Sequence, residues 1–379
     1  MSKTAAAAVF TKVREPFDIR EYPIPEPKEK DIVVRVTRAN ICGSDMHIWR
    51  GDMDLRAMGV RYGIILGHEL VGRVAKLGSG VRSDSMGKPL KEGDRIAFTY
   101  YANCGGCKAC MRMQVHACMM SLASPVRSCD QPPHFVGGFG EYYYLGEKQR
   151  VFKIPDKVTD AMAAGANCAL SQVIHGLDEA KLKMGETVVV QGAGGLGLYA
   201  CAVAKEMGAH KVICIDGNSG RLEMARKFGA DEVIDMSQVT DGRARVTAVT
   251  RMTDNWGADV VVEVAGVPEA CNEGIRMTGR GGRYLELGNI SAKKTFEADP
   301  SLWTGFNRSI IGVSLYPPEV LARALDFLAR TKDKYPVGNL ISHDFPLDKI
   351  TEAFQEADPH KEGGSKVTRA SIVFPEASA

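Results

Sequence analysis

Residues 188–197 of the chain read Val-Val-Val-Gln-Gly-Ala-Gly-Gly-Leu-Gly, and this stretch decides the fold of the region around it. The apolar run is typical of a buried strand, and the glycines after it match the pattern Gly-x-Gly-x-x-Gly at the start of a helix. The first glycine allows a tight turn, the second lets a pyrophosphate approach the backbone, and the third lets helix and sheet pack closely. Free N–H groups at the helix start attract phosphates. The candidate nucleotide-binding residues are therefore Gly192, Gly194, Gly195, Leu196 and Gly197.

An acidic residue follows at the distance that a dinucleotide site requires. The next predicted strand, residues 211–216, ends in Asp216, about 20 positions after Gly197, where a carboxylate accepts hydrogen bonds from the adenosine ribose. Asp216 would also repel a 2′-phosphate, so the sequence predicts NAD rather than NADP. Arg221 lies close enough to Asp216 to leave NADP open. A tight strand-to-helix turn without a ligand is the alternative interpretation of the glycines.

The pattern of strands and helices changes along the chain near residue 160. Before that point short strands lie between turn signals, whereas residues 186–287 alternate between apolar strands and helices. Such alternation is typical of a parallel sheet covered on both faces, so the fold class is α/β. A helix at 318–330 and a strand at 370–374 are expected to return to the first domain. The predicted domains are residues 1–160 with 313–379, and residues 161–312.

Four cysteines lie close together in the first domain, with the spacing Cys-x2-Cys-x2-Cys-x7-Cys. Four thiolates at this spacing can close a tetrahedral shell around one zinc ion, which would hold a lobe at about residues 100–120 together without doing chemistry. Two disulfides, or four unrelated core thiols, are the alternatives. The predicted ligands of this structural zinc are Cys104, Cys107, Cys110 and Cys118.

Composition restricts the class of protein. Of the 379 residues, 45% are hydrophobic and 25% charged, as in ordinary globular proteins, and the net charge of +2 gives no general attraction to nucleic acid or membrane. No apolar stretch of about 18 residues is long enough to span a bilayer, and the N-terminus lacks the apolar core of a signal peptide. Ten cysteines without such a signal indicate a reducing compartment. We therefore expect a cytoplasmic protein with a small-molecule substrate and no nucleic-acid or membrane partner.

A second group of metal-binding residue types surrounds Cys42, His68 and, much later in the chain, Cys168. Two thiolates and one imidazole would leave the fourth position of a zinc ion open, as in catalytic sites. Taken singly, each cysteine is as well explained as a small core hydrophobe.

The string Gly67-His68-Glu69-x-x-Gly72-x-Val74-x-x-x-Gly78-x-x-Val81 resembles the zinc signature of the zinc-dependent medium-chain alcohol dehydrogenases. The four-cysteine lobe, Cys168 and the glycine pattern follow in the order found in that family. The resemblance implies a GroES-like β-rich catalytic domain interrupted by a Rossmann domain with a doubly wound parallel sheet. It assigns Cys42, His68 and Cys168 to a catalytic zinc, so that with the four-cysteine site the chain would hold two zinc ions. The resemblance also implies NAD as the cofactor and a homodimer or homotetramer.

The resemblance also implies roles for residues near these ligands. Ser44 and His47 resemble the family's relay that carries the alcohol proton to solvent, although His47 could simply face solvent. Glu69 resembles a carboxylate that approaches the zinc during ligand exchange, or it is a fixed salt-bridge partner. Asp45 is expected to accept the remaining ring N–H of His68. Arg369 resembles a residue that reaches the cofactor phosphates, or it is an exposed strand charge.

These expectations lead to an NAD-dependent zinc alcohol dehydrogenase acting on a secondary or bulky primary alcohol. Related polyol dehydrogenases usually carry Glu at the position of Cys168, whereas alcohol dehydrogenase-like members carry Cys. An apolar or cyclic substrate is predicted from the bulk of the expected pocket wall, although each of its residues could instead be core. A polyol or amino-alcohol dehydrogenase, a double-bond reductase and a non-catalytic zinc- and nucleotide-binding protein are the alternatives. The predicted wall consists of Trp49, Tyr100, Phe135 and Val136.

Overall fold

A computed structural model describes residues 3–57, 59–121, 127–291, 294–358, 360–361 and 367–375. The chain divides into two compact units. The first unit comprises Met1–Cys168, Pro317–Lys332 and Val337–Ala379, and the second comprises Ala169–Tyr316 and Asp333–Pro336. These divisions fall a few residues after those expected at 160 and 312, and the short segment Asp333–Pro336 rejoins the second unit.

The elements are numbered in chain order. The strands are β1 (Thr4–Phe10), β2 (Asp18–Pro23), β3 (Ile32–Asn40), β4 (Ile64–Ile65), β5 (Glu69–Leu77), β6 (Arg95–Phe98), β7 (Tyr142–Leu145), β8 (Val151–Lys153), β9 (Thr187–Gln191), β10 (Lys211–Asp216), β11 (Glu232–Asp235), β12 (Ala258–Glu263), β13 (Thr278–Glu286), β14 (Ser309–Gly312), β15 (His343–Pro346) and β16 (Ala370–Val373). The α-helices are α1 (Gly43–Arg50), α2 (Lys108–Met111), α3 (Asp160–Ala163), α4 (Ser171–Glu179), α5 (Gly195–Glu206), α6 (Ser219–Lys227), α7 (Gly242–Met252), α8 (Pro268–Met277), α9 (Ser301–Thr304), α10 (Glu319–Thr331) and α11 (Ile350–Ala357).

The first unit is built mainly from antiparallel strands. Its larger sheet has the order β15-β16-β3-β5-β6-β8, with β7 also paired to β3, and a smaller sheet has the order β2-β1-β4. Alternating residues of the central strand β3, such as Val34 and Val36, are fully buried in an apolar core that also contains Phe10 and Phe98. The C-terminal strand β16 pairs with β3, so the end of the chain completes the sheet of the first unit.

The second unit contains a parallel sheet with the strand order β11-β10-β9-β12-β13-β14. Its central strand β9 is flanked by β10 and β12, and the valines Val188, Val189 and Val190 are completely buried. The α/β fold class predicted from the sequence is confirmed. Strand β13 begins at Thr278, and its pairing with β12 contains a register irregularity between Ala258 and Val260.

No α-helix among the described residues has both the length and the apolar composition needed to cross a bilayer.

Two carboxyl groups lie side by side at the ends of β12 and β13, where Glu263 is completely buried and Glu286 is partly exposed. Glu263 and Glu286 face each other in the register, and the amide of Asn289 donates to both carboxyl groups. Each also accepts hydrogen bonds from the backbone that follows its strand, at Gly266 and Gly288. Burial and the hydrogen bond to Glu286 raise the pKa of Glu263 to about 8. The pair therefore retains a proton in the folded protein at neutral pH.

This proton makes the stability of the second unit dependent on pH. Between the ordinary pKa of Glu263 near 4.5 and its folded value near 8, the folded state binds the extra proton, so the free energy of unfolding falls as pH rises. We expect Glu263→Gln, which imitates the protonated form, to remove on the order of 3 kcal/mol of this loss between pH 5 and 8. Thermal unfolding at several pH values measures this pH dependence of stability. Glu297→Gln, which changes an exposed glutamate, is the control. Parallel pH curves for wild type and Glu263→Gln would contradict the shared proton.

Candidate metal centres and nucleotide site

The four predicted cysteine ligands of the lobe converge on one point. Their sulfur atoms all lie within 4.8 Å of one another, and Cys110 Sγ is 3.6 Å from Cys107 Sγ and 4.0 Å from Cys104 Sγ. Sulfurs bound tetrahedrally to zinc at about 2.3 Å lie about 3.8 Å apart, so the observed spacing fits a single zinc ion. The distances are far too long for a disulfide bond, and all ten cysteines are free.

Local hydrogen bonds lower the pKa of two of these thiols, Cys107 and Cys118, whereas burial raises the pKa of Cys110 to about 11. The N–H of Cys104 points to the sulfur of Cys118 at 3.4 Å, and the N–H of Cys107 points to that of Cys104 at 3.3 Å. Burial alone would raise the pKa of Cys118, but backbone hydrogen bonds from Cys104 and Met120 outweigh it and lower the pKa to about 6. A thiolate is the form that binds metal, so the lobe is suited to hold a cation.

The second cluster brings together residues that are distant in the sequence. One ligand atom from each of Cys42, His68, Glu69 and Cys168 lies within 4.8 Å of the others. The distance from Cys168 Sγ to His68 Nε2 is 3.4 Å, close to the value of about 3.5 Å expected for a sulfur and a nitrogen on one tetrahedral zinc. The donor set and its spacing therefore fit a zinc ion held by two thiolates and one imidazole.

The buried carboxylate of Asp45 contacts the backbone and the histidine ring of this cluster. Cys42 is the N-cap of α1, and its backbone N–H donates to Asp45 Oδ2 at 2.9 Å. The other oxygen of Asp45 accepts from the backbone of Gly67 and lies 3.4 Å from His68 Nδ1. A proton on Nδ1 directed at this carboxylate leaves the Nε2 lone pair facing Cys168, as a metal ligand requires.

Asn167 positions the third ligand. It lies in a single π-helical turn, Ala166–Leu170, which also carries Cys168. The amide of Asn167 donates to the carbonyl of His68 at 2.9 Å and to that of Phe98 at 3.1 Å. This fixes the turn against strand β6 and beside the histidine. Single π turns often occur at functional sites, but the motif Gly-Ala-Asn-Cys gives no spacing from which this turn could be predicted.

The cluster attracts positive charge. A hydrogen bond from Cys168 and the positive charge of His68 lower the pKa of Cys42 well below its ordinary value. Burial would lower the pKa of His68, but the charges of Asp45 and Cys42 raise it well above its ordinary value. A proton on the imidazole thus neutralises the thiolate in the protein without metal, and zinc would displace that proton.

Arg369 is not the exposed strand charge that was the alternative to a phosphate contact. Its side chain is only 9% exposed, so it is not an exposed strand charge, and its Nη2 forms an ion pair with Glu69 beside the metal cluster. Glu69 is completely buried and also accepts a hydrogen bond from the amide of Asn40. Burial raises the pKa of Glu69 to about 7, although Arg369 opposes the shift. Glu69 therefore has the salt-bridge partner that was one of its two predicted roles, and the contact of Arg369 with the cofactor phosphates stays a prediction.

The two residues of the predicted relay lie on the first helix of this region. Ser44 and His47 are three positions apart in α1, so they share one face of the helix. Ser44 is partly exposed, and the His47 side chain is 21% exposed. His47 Nδ1 lies 3.0 Å from a carboxylate oxygen of Asp52, a contact that the sequence did not predict.

The predicted pocket wall needs correction. Trp49 is buried in the core against Phe354, and its ring N–H donates to the backbone of Glu15. Phe135 is completely buried with Tyr22 among its ring contacts. These two aromatic side chains are therefore core residues, because they supply apolar area to the packing between sheet and helix.

The other two predicted wall residues lie in different places. Val136 lines a surface cavity together with Pro133 and Tyr144, and no residue of the metal cluster belongs to that cavity. The ring of Tyr100 lies 4.9 Å from that of His68, and burial raises its pKa well above the ordinary value. Tyr100 is thus the predicted wall residue that the structure places beside the metal cluster.

The glycine loop of the second unit has the geometry that its motif requires. Gly192 adopts a φ of +104°, and a Cβ at Gly197 would lie 1.8 Å from the carbonyl oxygen of Gly192. By contrast, a Cβ at Gly194 would meet nothing within 4 Å, which leaves the space that a pyrophosphate occupies. Gly194 is the N-cap of α5, so the N–H groups of Gly195 and Leu196 open toward that space.

Asp216 lies at the end of β10 next to this loop. Its carboxylate accepts hydrogen bonds from the backbone of Ala193 at 2.7 Å and Asn218 at 2.8 Å. These bonds fix the carboxylate beside the glycine turn, and each oxygen retains a further lone pair for a ribose hydroxyl.

Two family models match the chain. Residues 195–330 match the model described as zinc-binding dehydrogenase, and residues 28–156 match that of the alcohol dehydrogenase GroES-like domain. A curated relative, the 5-exo-hydroxycamphor dehydrogenase of Pseudomonas putida, is 36% identical over 342 residues, or 88% of this chain and 91% of that protein. The L-threonine 3-dehydrogenase of Rhizobium etli is 30% identical over 356 residues, or 94% of this chain and 96% of that protein.

Solved structures show the same fold. An alcohol dehydrogenase from Thermotoga maritima has a TM-score of 0.90 and 28% identity, covering 98% of this chain and 100% of that chain. A Sinorhizobium meliloti protein whose structure contains NADP has a TM-score of 0.82 and 26% identity, covering 98% of this chain and 100% of that chain. The GroES-like and Rossmann architecture inferred from the sequence is confirmed by these similarities.

The two clusters can be tested separately by counting metal ions. We expect the purified protein to contain two zinc ions per chain, and Cys107→Ala and Cys168→Ala each to contain one, because each substitution removes a ligand from a different cluster. Metal analysis by mass spectrometry measures the content. Cys129→Ala, which removes a buried thiol of the same unit outside both clusters, should keep two ions. Two ions in Cys107→Ala would argue against the lobe site.

Proposed function

The chain belongs to the zinc-dependent medium-chain alcohol dehydrogenase family, and on this basis we propose that it oxidises an apolar, cyclic secondary alcohol with NAD as the hydride acceptor. Its membership makes it an oxidoreductase acting on CH–OH donors. The family resemblance inferred from the sequence is confirmed. The substrate, the nucleotide and the roles of single residues are the proposal.

One observation carries the proposal: the ligand atoms of Cys42, His68 and Cys168 converge, while the fourth group of the cluster, Glu69, forms an ion pair with Arg369. Three protein ligands leave a coordination position for substrate, whereas the four-thiolate lobe is closed. A double-bond reductase or a purely structural protein has no need of a second, open cluster. The open cluster therefore favours alcohol oxidation over both alternatives.

The protein's residues prepare the reaction. Cys42, His68 and Cys168 would hold the zinc, and Asp45 keeps the His68 Nε2 lone pair directed at it. When bound, zinc would lower the pKa of an alcohol that reaches it, and NAD would accept the hydride from the carbinol carbon, leaving a ketone and one proton. Ser44 would take that proton, and His47, on the same face of α1, would pass it to solvent.

Two observations support an apolar alcohol. Cys168 replaces the glutamate that is usual in polyol dehydrogenases, and Tyr100 places an aromatic ring beside His68. The similarity to a hydroxycamphor dehydrogenase points to a bicyclic secondary alcohol. The similarity to threonine 3-dehydrogenases supports an amino alcohol as the second candidate, and at 30% identity it is the weaker of the two.

A screen of alcohols tests the proposal. We expect the zinc-loaded protein to reduce NAD with bicyclic and monocyclic secondary alcohols at a kcat/KM at least about tenfold above that for L-threonine or sorbitol, because the aromatic ring of Tyr100 beside His68 pairs neither the charges of threonine nor the many hydroxyl groups of sorbitol. NADH absorbance measures turnover, and Cys168→Ala provides the inactive control. A preference for L-threonine would favour the second candidate. No turnover across the panel with zinc bound would refute the enzyme proposal.

The choice of nucleotide depends on Asp216. Its fixed carboxylate would repel the 2′-phosphate of NADP, although a similar protein contains NADP. We expect Asp216→Asn to raise the ratio of kcat/KM for NADP to that for NAD at least about tenfold, since one charge repulsion of about 1.4 kcal/mol is removed. Asp235→Asn, at the end of the neighbouring strand β11, is the matched control. Equal use of both nucleotides by the wild type would contradict the NAD preference.

A further inference from the structure

The end of helix α1 brings a carboxylate back to His47. Gly51 terminates the helix in the left-handed conformation, with φ +85°, and the N–H of Met53 then bonds to the carbonyl of His47 at 3.1 Å. This reversal places Asp52, five residues beyond His47, beside its ring. A Cβ at Gly51 would lie 2.9 Å from Val13, so only glycine fits this turn without displacement.

A buried arginine holds Asp52 in place. Arg50, whose side chain is 4% exposed, donates to Asp52 Oδ2 from Nε at 2.9 Å and from Nη2 at 2.7 Å. Its Nη1 is anchored by Asp358 at 3.2 Å, and Asp358 also accepts the N–H of His360. Burial would raise the pKa of Asp52, but hydrogen bonds from His47 and Arg50 outweigh it and lower the pKa. Asp52 is therefore an anion with a fixed position.

The donors and acceptors around the His47 ring then determine which ring nitrogen carries the proton. Nδ1 lies 3.0 Å from Asp52 Oδ2 and 3.2 Å from Arg50 Nη2. A bare Nδ1 would direct a lone pair at an anionic oxygen, whereas a protonated Nδ1 donates to it. Arg50 opposes this choice, because the second hydrogen of its Nη2 could reach a bare Nδ1, but that contact of 3.2 Å is longer than the 3.0 Å contact of Nδ1 with the carboxylate. The arrangement favours Nδ1–H, which leaves the lone pair on Nε2.

We propose that Asp52, held by Arg50 and Asp358, is a positioning residue that keeps His47 in the Nδ1–H form, so that Nε2 can accept the proton released by alcohol oxidation. The role in catalysis rests on the proposed function. The assignment of the tautomer is independent of the proposed function. An unconstrained neutral imidazole populates both tautomers, and only the form with a bare Nε2 can receive a proton there. Among the residues that the structure describes, the charged groups that contact this ring are Arg50 and Asp52, and Asp358 contacts Arg50 from the segment after α11.

The tautomer can be observed without turnover. In protein labelled with 15N-histidine, two-bond correlation spectra distinguish Nδ1–H from Nε2–H, and His47→Gln identifies the His47 signals among the eight histidines. We expect Nδ1–H in the wild type, and a shift toward Nε2–H in Asp52→Asn, whose amide can donate to Nδ1. Asp54→Asn, which removes a carboxylate of the same loop that binds backbone N–H groups, should leave the spectrum unchanged. A wild-type Nε2–H signal would overturn the inference.

A double-mutant cycle connects the tautomer to the reaction. Asp52→Asn should lower kcat for alcohol oxidation about tenfold below neutral pH, with little change in KM, and Asp52→Glu should restore part of it. In a His47→Gln background the same substitution should cause no further loss, because Asp52 would act only through the ring. Additive losses would overturn the inference. If no alcohol is oxidised, the proposed function fails, and the spectra still decide whether Asp52 sets the tautomer.

Discussion

The carboxylate of Asp45 is the contact on which the open metal cluster depends. It is 2% exposed and receives hydrogen bonds from the backbone of Cys42 and Gly67 while facing His68 Nδ1. A buried carboxylate is costly unless it is hydrogen-bonded, and here its partners are the backbone beside two ligands and the ring of one. The same bonds that stabilise the charge therefore hold the ligands together.

The two clusters differ in how far their geometry could be predicted. The lobe is a local structure: its ligands follow one another within one loop, and backbone N–H groups of Cys104 and Cys107 already point to neighbouring sulfurs. Spacing alone was sufficient to predict it. The glycine loop is predictable for the same reason, since Gly192 and Gly197 meet within a single turn. In both cases the residues are so close in the sequence that only a few backbone conformations can bring them together.

Contacts between distant segments could not be read from the sequence. The side chain of Asn167, next to Cys168, donates a hydrogen bond to the carbonyl of His68, and Arg369, just before β16, forms an ion pair with Glu69. Neither contact follows from the spacing of the residues in the sequence. Their existence depends on which strands become neighbours. The same limit explains the error about Trp49 and Phe135: aromatic bulk near a motif does not reveal whether a side chain faces the site or the core. Family resemblance supplied the ligands, and the Asp45 contact with His68 was expected from the sequence, but the contact made by Asn167 became evident only from the fold.

Arg369 has a consequence for the charge of the open cluster. Two thiolates, from Cys42 and Cys168, already neutralise a divalent cation, and the imidazole of His68 adds no charge. A carboxylate from Glu69 would then make the bound centre negative in a buried setting, where an uncompensated charge is unfavourable. The ion pair with Arg369 offsets that charge, while a carboxylate oxygen of Glu69 still lies within 4.8 Å of the other ligand atoms of the cluster. The arginine therefore allows a buried carboxylate to lie beside a centre whose two thiolates already neutralise a divalent cation.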